Sequence, residues 1–225
     1  MINLKVGKKK VKLPNQWSEL SVKQYAKIVH IINEHQVTEE LMAEKTKEEN
    51  EVNAINSNLE CFAYLTNCET SMIKRCPSYQ IEECLEFMLK FLNDIKHKET
   101  FSEKPSFKFK NETYYFPTID FKQTTFGDYI ESAQLNMLSG KKDGGRFAVV
   151  PEQMAILCKT KDQDEDYNEK LIMKRARLFQ ELPMNIVWDF VFFLTNATEQ
   201  LQQNLKTFSK RGTEFQTDTP REIGI

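Results

Sequence analysis

Phe107–Ala133 reads FKFKNETYYFPTIDFKQTTFGDYIESA, and Leu4–Ile28 reads LKVGKKKVKLPNQWSELSVKQYAKI. Both stretches set out apolar residues in alternation, then a proline, then a linker with a large side chain, then Ser or Thr before a helical pattern. Val6 corresponds to Phe109 (109 − 6 = 103) and Pro14 to Pro117 (117 − 14 = 103), whereas Tyr25 corresponds to Tyr129 (129 − 25 = 104). A recurrence at a fixed offset is the signature of a repeated supersecondary unit. Each copy predicts a β-hairpin followed by a capped helix.

In the first copy, Ile2, Leu4, Val6, Val11 and Leu13 alternate with polar residues, so one face of the hairpin is apolar. A turn centred on Lys8-Lys9 is expected to set Val6 opposite Val11 and Leu4 opposite Leu13. In the second copy, a turn at Asn111-Glu112 is expected to pair Phe109 with Tyr114 and Phe107 with Phe116. Ser21-Val-Lys-Gln24 has the form of a capping box, and Thr125 with Asp128 three residues on is its equivalent. Tyr25, Ile28, Val29 and Ile32 then form a helical stripe, and Tyr129, Ile130, Ala133, Leu135 and Leu138 are read as its counterpart.

Further along, residues 39–58 are charged and helix-compatible, and Leu59, Phe62, Ala63 and Leu65 extend an apolar face to Asn67. Cys76-Pro77 interrupts the chain before an amphipathic helix over 81–95. Met154–Cys158 is short and apolar, 161–169 is an acidic loop, 171–180 is a helix, and Leu182-Pro183 opens a last helix over 186–205. Pro77 and Pro183 differ by 106 (183 − 77), which extends the repeat to the late helices. The expected fold is therefore α+β and mainly helical. It comprises two pseudo-repeated hairpin-plus-helices units, 1–104 and 105–208, packed as one body and followed by an extended tail, 209–225. Ser139–Arg146, SGKKDGGR, reads as a flexible loop.

Composition narrows the function classes. Lys+Arg 31 against Asp+Glu 33 leaves a net charge of −2, so no global field draws the chain to nucleic acid or to a membrane surface. The most apolar stretch, 186–194, is far short of a bilayer span. MINLKVGKKK has no secretory signal pattern, and five cysteines leave one unpaired in any monomeric disulfide scheme; reduced thiols and intracellular synthesis are expected.

No catalytic or metal-ligating constellation emerges, and no cofactor is expected. Cys61 and Cys68 share a helical face but would lie about 10 Å apart, too far for one zinc ion, so half-buried core thiols are the simpler reading. His30, His35 and His97 lack the same-face spacing of a helical metal pair. Asp162-Gln-Asp164-Glu-Asp166 begins like a calcium loop, but Tyr167 stands where glycine is required and Met173 where glutamate closes the site. Two features point to surfaces instead. Lys8, Lys9 and Lys10, with Lys5 and Lys12, make the first hairpin basic, which suits a solvated, protected strand edge; a nucleic-acid contact is not predicted, because the aromatic residues that would stack on bases are missing there. Arg211, Phe215, Arg221 and Ile225 punctuate a tail too sparse to bury itself, which suits an arm laid on a neighbouring subunit.

WSELSVKQY (17–25), TFGDYIESA (125–133), AILCK (155–159) and FQELPMNIV (179–187) together resemble a family of tailed-phage proteins found in phages of Bacteroides and relatives, including the crAss-like group. The resemblance implies a non-enzymatic virion protein of the head–tail or tail region, a ring or connector subunit made in the host cytoplasm, with other phage structural proteins and further copies of itself as partners. A tail assembly chaperone is the alternative within that class. A small host-directed enzyme or nucleic-acid-binding factor is the alternative outside it.

Overall fold

A computed structural model of the chain describes residues 1–35, 46–93, 106–117, 125–161 and 168–196. The fold is α+β and mainly helical, with two separate antiparallel hairpins. The first is β1 (Ile2–Val6) with β2 (Lys9–Leu13), and the second is β3 (Ser106–Phe109) with β4 (Glu112–Tyr115). The helices are α1 (Val22–His35), α2 (Lys47–Thr66), the single turn α3 (Thr70–Ile73), α4 (Ser78–Asn93), α5 (Phe126–Leu138), α6 (Arg146–Leu157), α7 (Glu169–Phe179) and α8 (184–196). The acidic 162–167, the segment 94–105 and the tail 197–225 lie outside the described residues.

Both hairpins form, each shifted by two residues from the expected register. Ile2 faces Leu13, Leu4 faces Val11 and Val6 faces Lys9, so the turn is Gly7-Lys8 rather than Lys8-Lys9. Phe107 faces Tyr114 and Phe109 faces Glu112, which puts the second turn at Lys110-Asn111 rather than Asn111-Glu112. The turn residues decide this. A two-residue hairpin loop needs positive φ to follow the strand twist. Gly7 supplies φ +60 at the first turn, while Lys110 (φ 45) and Asn111 (φ 70) supply it at the second. A shift of two leaves every side chain on its expected face. Partner numbers sum to 15 in the first hairpin (4 + 11) and 221 in the second (107 + 114), a difference of twice 103, so the two registers coincide under the sequence offset.

The helix starts also agree with the sequence. Ser21 N–H donates to Gln24 Oε1 (2.9 Å) while Gln24 N–H donates to Ser21 Oγ (3.3 Å). Thr125 and Asp128 make the same reciprocal pair at 3.1 Å in both directions. A third box, Thr46 with Glu49, opens α2. That helix ends at Asn67, whose left-handed conformation (φ 50) lets its own N–H and that of Cys68 return to the last turn.

The largest departure concerns α6. The sequence reading made 139–146 a flexible loop and kept only Met154–Cys158 as apolar. Instead Ser139–Lys141 is a 3-10 turn, and the backbone at Gly144 presses on α1 so closely that a Cβ there would lie 2.7 Å from the Ala26 carbonyl oxygen. α6 then runs from Arg146 through Pro151 to Leu157, with its own Val149, Val150, Met154, Ala155, Ile156 and Leu157 all buried. A helix apolar all round belongs at the centre of a fold, and α6 packs against α1, α5 and α7. One contiguous core unites both halves.

In each half the hairpin meets the C-terminal end of the second long helix. Lys9 Nζ donates to the Asn67 carbonyl beyond α2 (3.0 Å), and Tyr115 N–H donates to the Lys159 carbonyl beyond α6 (2.9 Å). The second hairpin seats Phe107 and Tyr114 on Phe179 of α7, with ring centroids 5.9 and 4.8 Å away.

Candidate functional site

Residues 17–25 and 179–187, and residues 125–133 and 155–159, are far apart in sequence and meet pairwise in the fold. At one junction Val22 N–H donates to the Leu182 carbonyl (2.9 Å) and Met184 N–H to the Leu20 carbonyl (2.8 Å), a short antiparallel bridge between WSELS and ELPM. Beside it, Trp17, Tyr25, Phe147 and Trp188 form a half-exposed aromatic cluster in which edge contacts dominate, with Tyr25–Phe147 at 4.7 Å and Phe147–Trp188 at 5.2 Å. At the other junction, Lys159 Nζ reaches Asp128 Oδ2 (2.7 Å), which ties the AILCK segment to the N-terminal cap of α5. Arg175 then donates from Nη1 to the carbonyls of Ala155 (2.8 Å) and Cys158 (3.0 Å), where α6 leaves its end carbonyls open. Both junctions hold elements together by main-chain and charge-assisted bonds.

An open cleft of about 360 Å³ adjoins the first junction, lined by Ser18, Ser21, Lys23, Tyr64 and Glu181 among others. Its serines spend their hydroxyls on Gln16 (3.5 Å) and Gln24 (3.2 Å). His30 faces Glu34 (3.4 Å) and Asp143 (3.9 Å), and His35 faces Glu60 (3.2 Å). Among the described residues no three His, Cys, Asp or Glu side chains converge as a metal site would require. Cys61, Cys68, Cys84 and Cys158 are buried and Cys76 is half-buried, all as free thiols. Burial, with Glu60 adding, pushes Cys61 up to about 11, and burial also pushes Cys158 up strongly. Cys68 follows the left-handed Asn67 and so has left the helix that carries Cys61, which separates it from the shared face expected for the two.

Of the basic hairpin, the register divides the lysines. Lys5 and Lys10 stand directly opposite each other, with Lys12 opposite Asn3, on the outward face; Lys8 sits in the turn. All four are exposed, and none makes an ion pair among the described residues. Lys9 belongs to the inward face and is committed to the Asn67 carbonyl, so it is a helix cap rather than part of the free basic surface. Arg211, Phe215, Arg221 and Ile225 lie outside the described residues.

A surface the sequence reading missed lies on α5. Of the stripe read from the sequence, Ile130 (40 % exposed), Ala133 and Leu138 (47 %) are turned outward beside Met137 (81 %), whereas Leu135 packs on the core. Asp128 and Ser132 are buried in their place. Asp128 is drawn inward by Thr125 and Lys159, and the Ser132 carbonyl accepts from buried Gln153 Nε2 (3.1 Å). The capping box alone gave no signal of this, since Glu49 holds the same position at the start of α2 and is exposed.

No helix among the described residues is long and apolar enough to cross a membrane. Comparison with protein-family models, with curated proteins and with solved structures finds no match for this chain.

Proposed function

We propose that the chain is a structural subunit of a tailed-phage particle, placed in the head–tail or tail region and repeated around an axis. The observation that carries this reading is the behaviour of the four resembling segments. Each lies at one of the two junctions that close the fold, Leu20–Val22 with Leu182–Met184 and Asp128 with Lys159. What the family likeness shares is therefore architecture, as suits a protein whose work is to hold a shape. At these junctions Ser21 with Gln24 and Asp128 with Thr125 and Lys159 are held in caps and bridges. The surfaces left over are a lysine face and an exposed apolar helix stripe, which suit contact with other macromolecules.

Particles purified by density gradient from an infected culture, analysed by mass spectrometry beside the lysate, test the proposal. Enrichment of the chain with the known shell and tail proteins is the expected result. Abundance in the lysate with loss from the particles would make it an assembly factor and overturn the structural role.

A further inference from the structure

On the outward face of the first hairpin Lys5 stands opposite Lys10 and Lys12 opposite Asn3, and Lys8 follows Gly7 in the turn. Like charges set directly across a strand pair destabilise it. No carboxylate offsets that repulsion: all four lysines are exposed, and none makes an ion pair among the described residues. The second hairpin shows that the architecture does not require them. It has the same register, and Lys5, Lys10 and Lys12 correspond there to Lys108, Thr113 and Tyr115 (5 + 103, 10 + 103 and 12 + 103), so that its lysine faces a neutral threonine. The fold also extends the basic face past the turn of the first hairpin. Lys74 and Arg75 are exposed and precede Cys76, whose Sγ lies 3.4 Å from the place a Cβ on Gly7 would take.

We infer that this face binds the phosphate backbone of duplex nucleic acid without reading its sequence. Its chemistry selects that partner. The four outward positions hold three lysines and an asparagine, with no apolar or aromatic side chain. A protein partner is met by an apolar, aromatic patch from which lysine is depleted. Unpaired bases need aromatic rings to stack on, and the face has none. A duplex keeps its bases stacked inside and presents phosphates, one charge per roughly 1.7 Å of its axis. From Lys12 to the turn the ribbon runs about 13 Å, four residues of strand, so several phosphates fall within its length. Lysine meets each as a point charge on a flexible stem, and phosphate contacts position a protein on a duplex without reading bases. With a net charge of −2 the chain as a whole does not attract a polyanion, so the contact is confined to this face. The inference goes beyond the particle role and does not depend on it: binding is read on the purified chain, and its failure leaves that role standing.

The test uses the full chain and a labelled DNA duplex of arbitrary sequence, in fluorescence anisotropy over a salt series. Wild type is expected to bind at low salt and to lose affinity steeply as salt rises. Lys5→Gln, Lys10→Gln and Lys12→Gln combined should weaken binding at low salt by about tenfold or more. They should also flatten the slope of log affinity against log salt by about 0.9 for each lysine removed. Lys170→Gln, Lys174→Gln and Arg177→Gln combined remove three exposed cations from α7 and should leave both values unchanged. A wild type that does not bind at low salt, or an α7 variant that loses as much as the hairpin variant, would overturn the inference. So would tighter binding to one strand of the same oligonucleotide alone, or to polyglutamate of equal charge, since either would assign the face to a different partner. Should the hairpin variant lose its helical circular-dichroism signal, Lys10→Thr, which copies the residue at the equivalent place in the second hairpin, replaces it, with the slope change of one lysine expected and an unchanged slope overturning the inference.

Discussion

Asp128 concentrates the chemistry of the second half: its carboxylate accepts from the Thr125 N–H and from Lys159 while its side chain is 4 % exposed. Lys159→Met removes the cation and leaves that carboxylate buried. The expected cost is about 1–3 kcal/mol in urea unfolding, and an unchanged midpoint would mean the pair does not hold the junction. Thr125→Ala should cost about 1 kcal/mol through the lost cap. The thiols give a prediction in pH. Burial raises Cys61 from 9.0 to about 11 and moves Cys158 the same way. The folded chain therefore holds these protons more tightly than the unfolded one. Their stabilisation is complete below the unfolded value and is lost as pH rises through the folded one. The urea midpoint at about pH 10 should fall below that at neutral pH; equal midpoints would contradict the burial of these sulfurs.

Turns set the hairpins. Replacing Lys110-Asn111 with Asn-Gly, the pair best suited to two positive φ values, should stabilise the protein by about 0.5–1 kcal/mol. A lower thermal midpoint would place the turn elsewhere. Gly7→Ala should destabilise, since φ is +60 and the new methyl would lie 3.4 Å from Cys76 Sγ. The same residues explain what could be read in advance. The inward face of each hairpin was legible because alternation survives a shift of two. The register was not, because matching Val6 with Val11 ignored the demand that Gly7 and Asn111 make on the backbone. The capped starts of α1 and α5 were legible because a capping box is local chemistry. α6 was hidden by Pro151 and by the glycines before it, which mark a break in isolation. Here Gly144 serves close approach to Ala26, and only tertiary packing supplies that reason. The outward turn of most of the α5 stripe was not legible, because Asp128 faces inward to meet Lys159, which only the tertiary fold brings to it.

At the scale of the molecule, two hairpins of coincident register lead into one shared core, and the Leu20–Val22/Leu182–Met184 and Asp128/Lys159 junctions are the seams between its parts. The acidic loop and the C-terminal tail fall outside the described residues, so the arm expected at Arg211–Ile225 contributes nothing to the account. The outward lysines offer a further check: opposite like charges destabilise a strand pair, so Lys5→Thr should leave the fold at least as stable as before. A clear loss in thermal midpoint would mean that Lys5 serves the fold itself. The central claim is that this chain is a repeated building block, and counting it tests that claim most directly. Isotope-labelled peptides from residues 1–196, quantified against a protein of known copy number in purified particles, should return one fixed whole number per particle that matches a rotational symmetry of the neck or tail. A variable, trace amount that falls with each purification step would contradict the account.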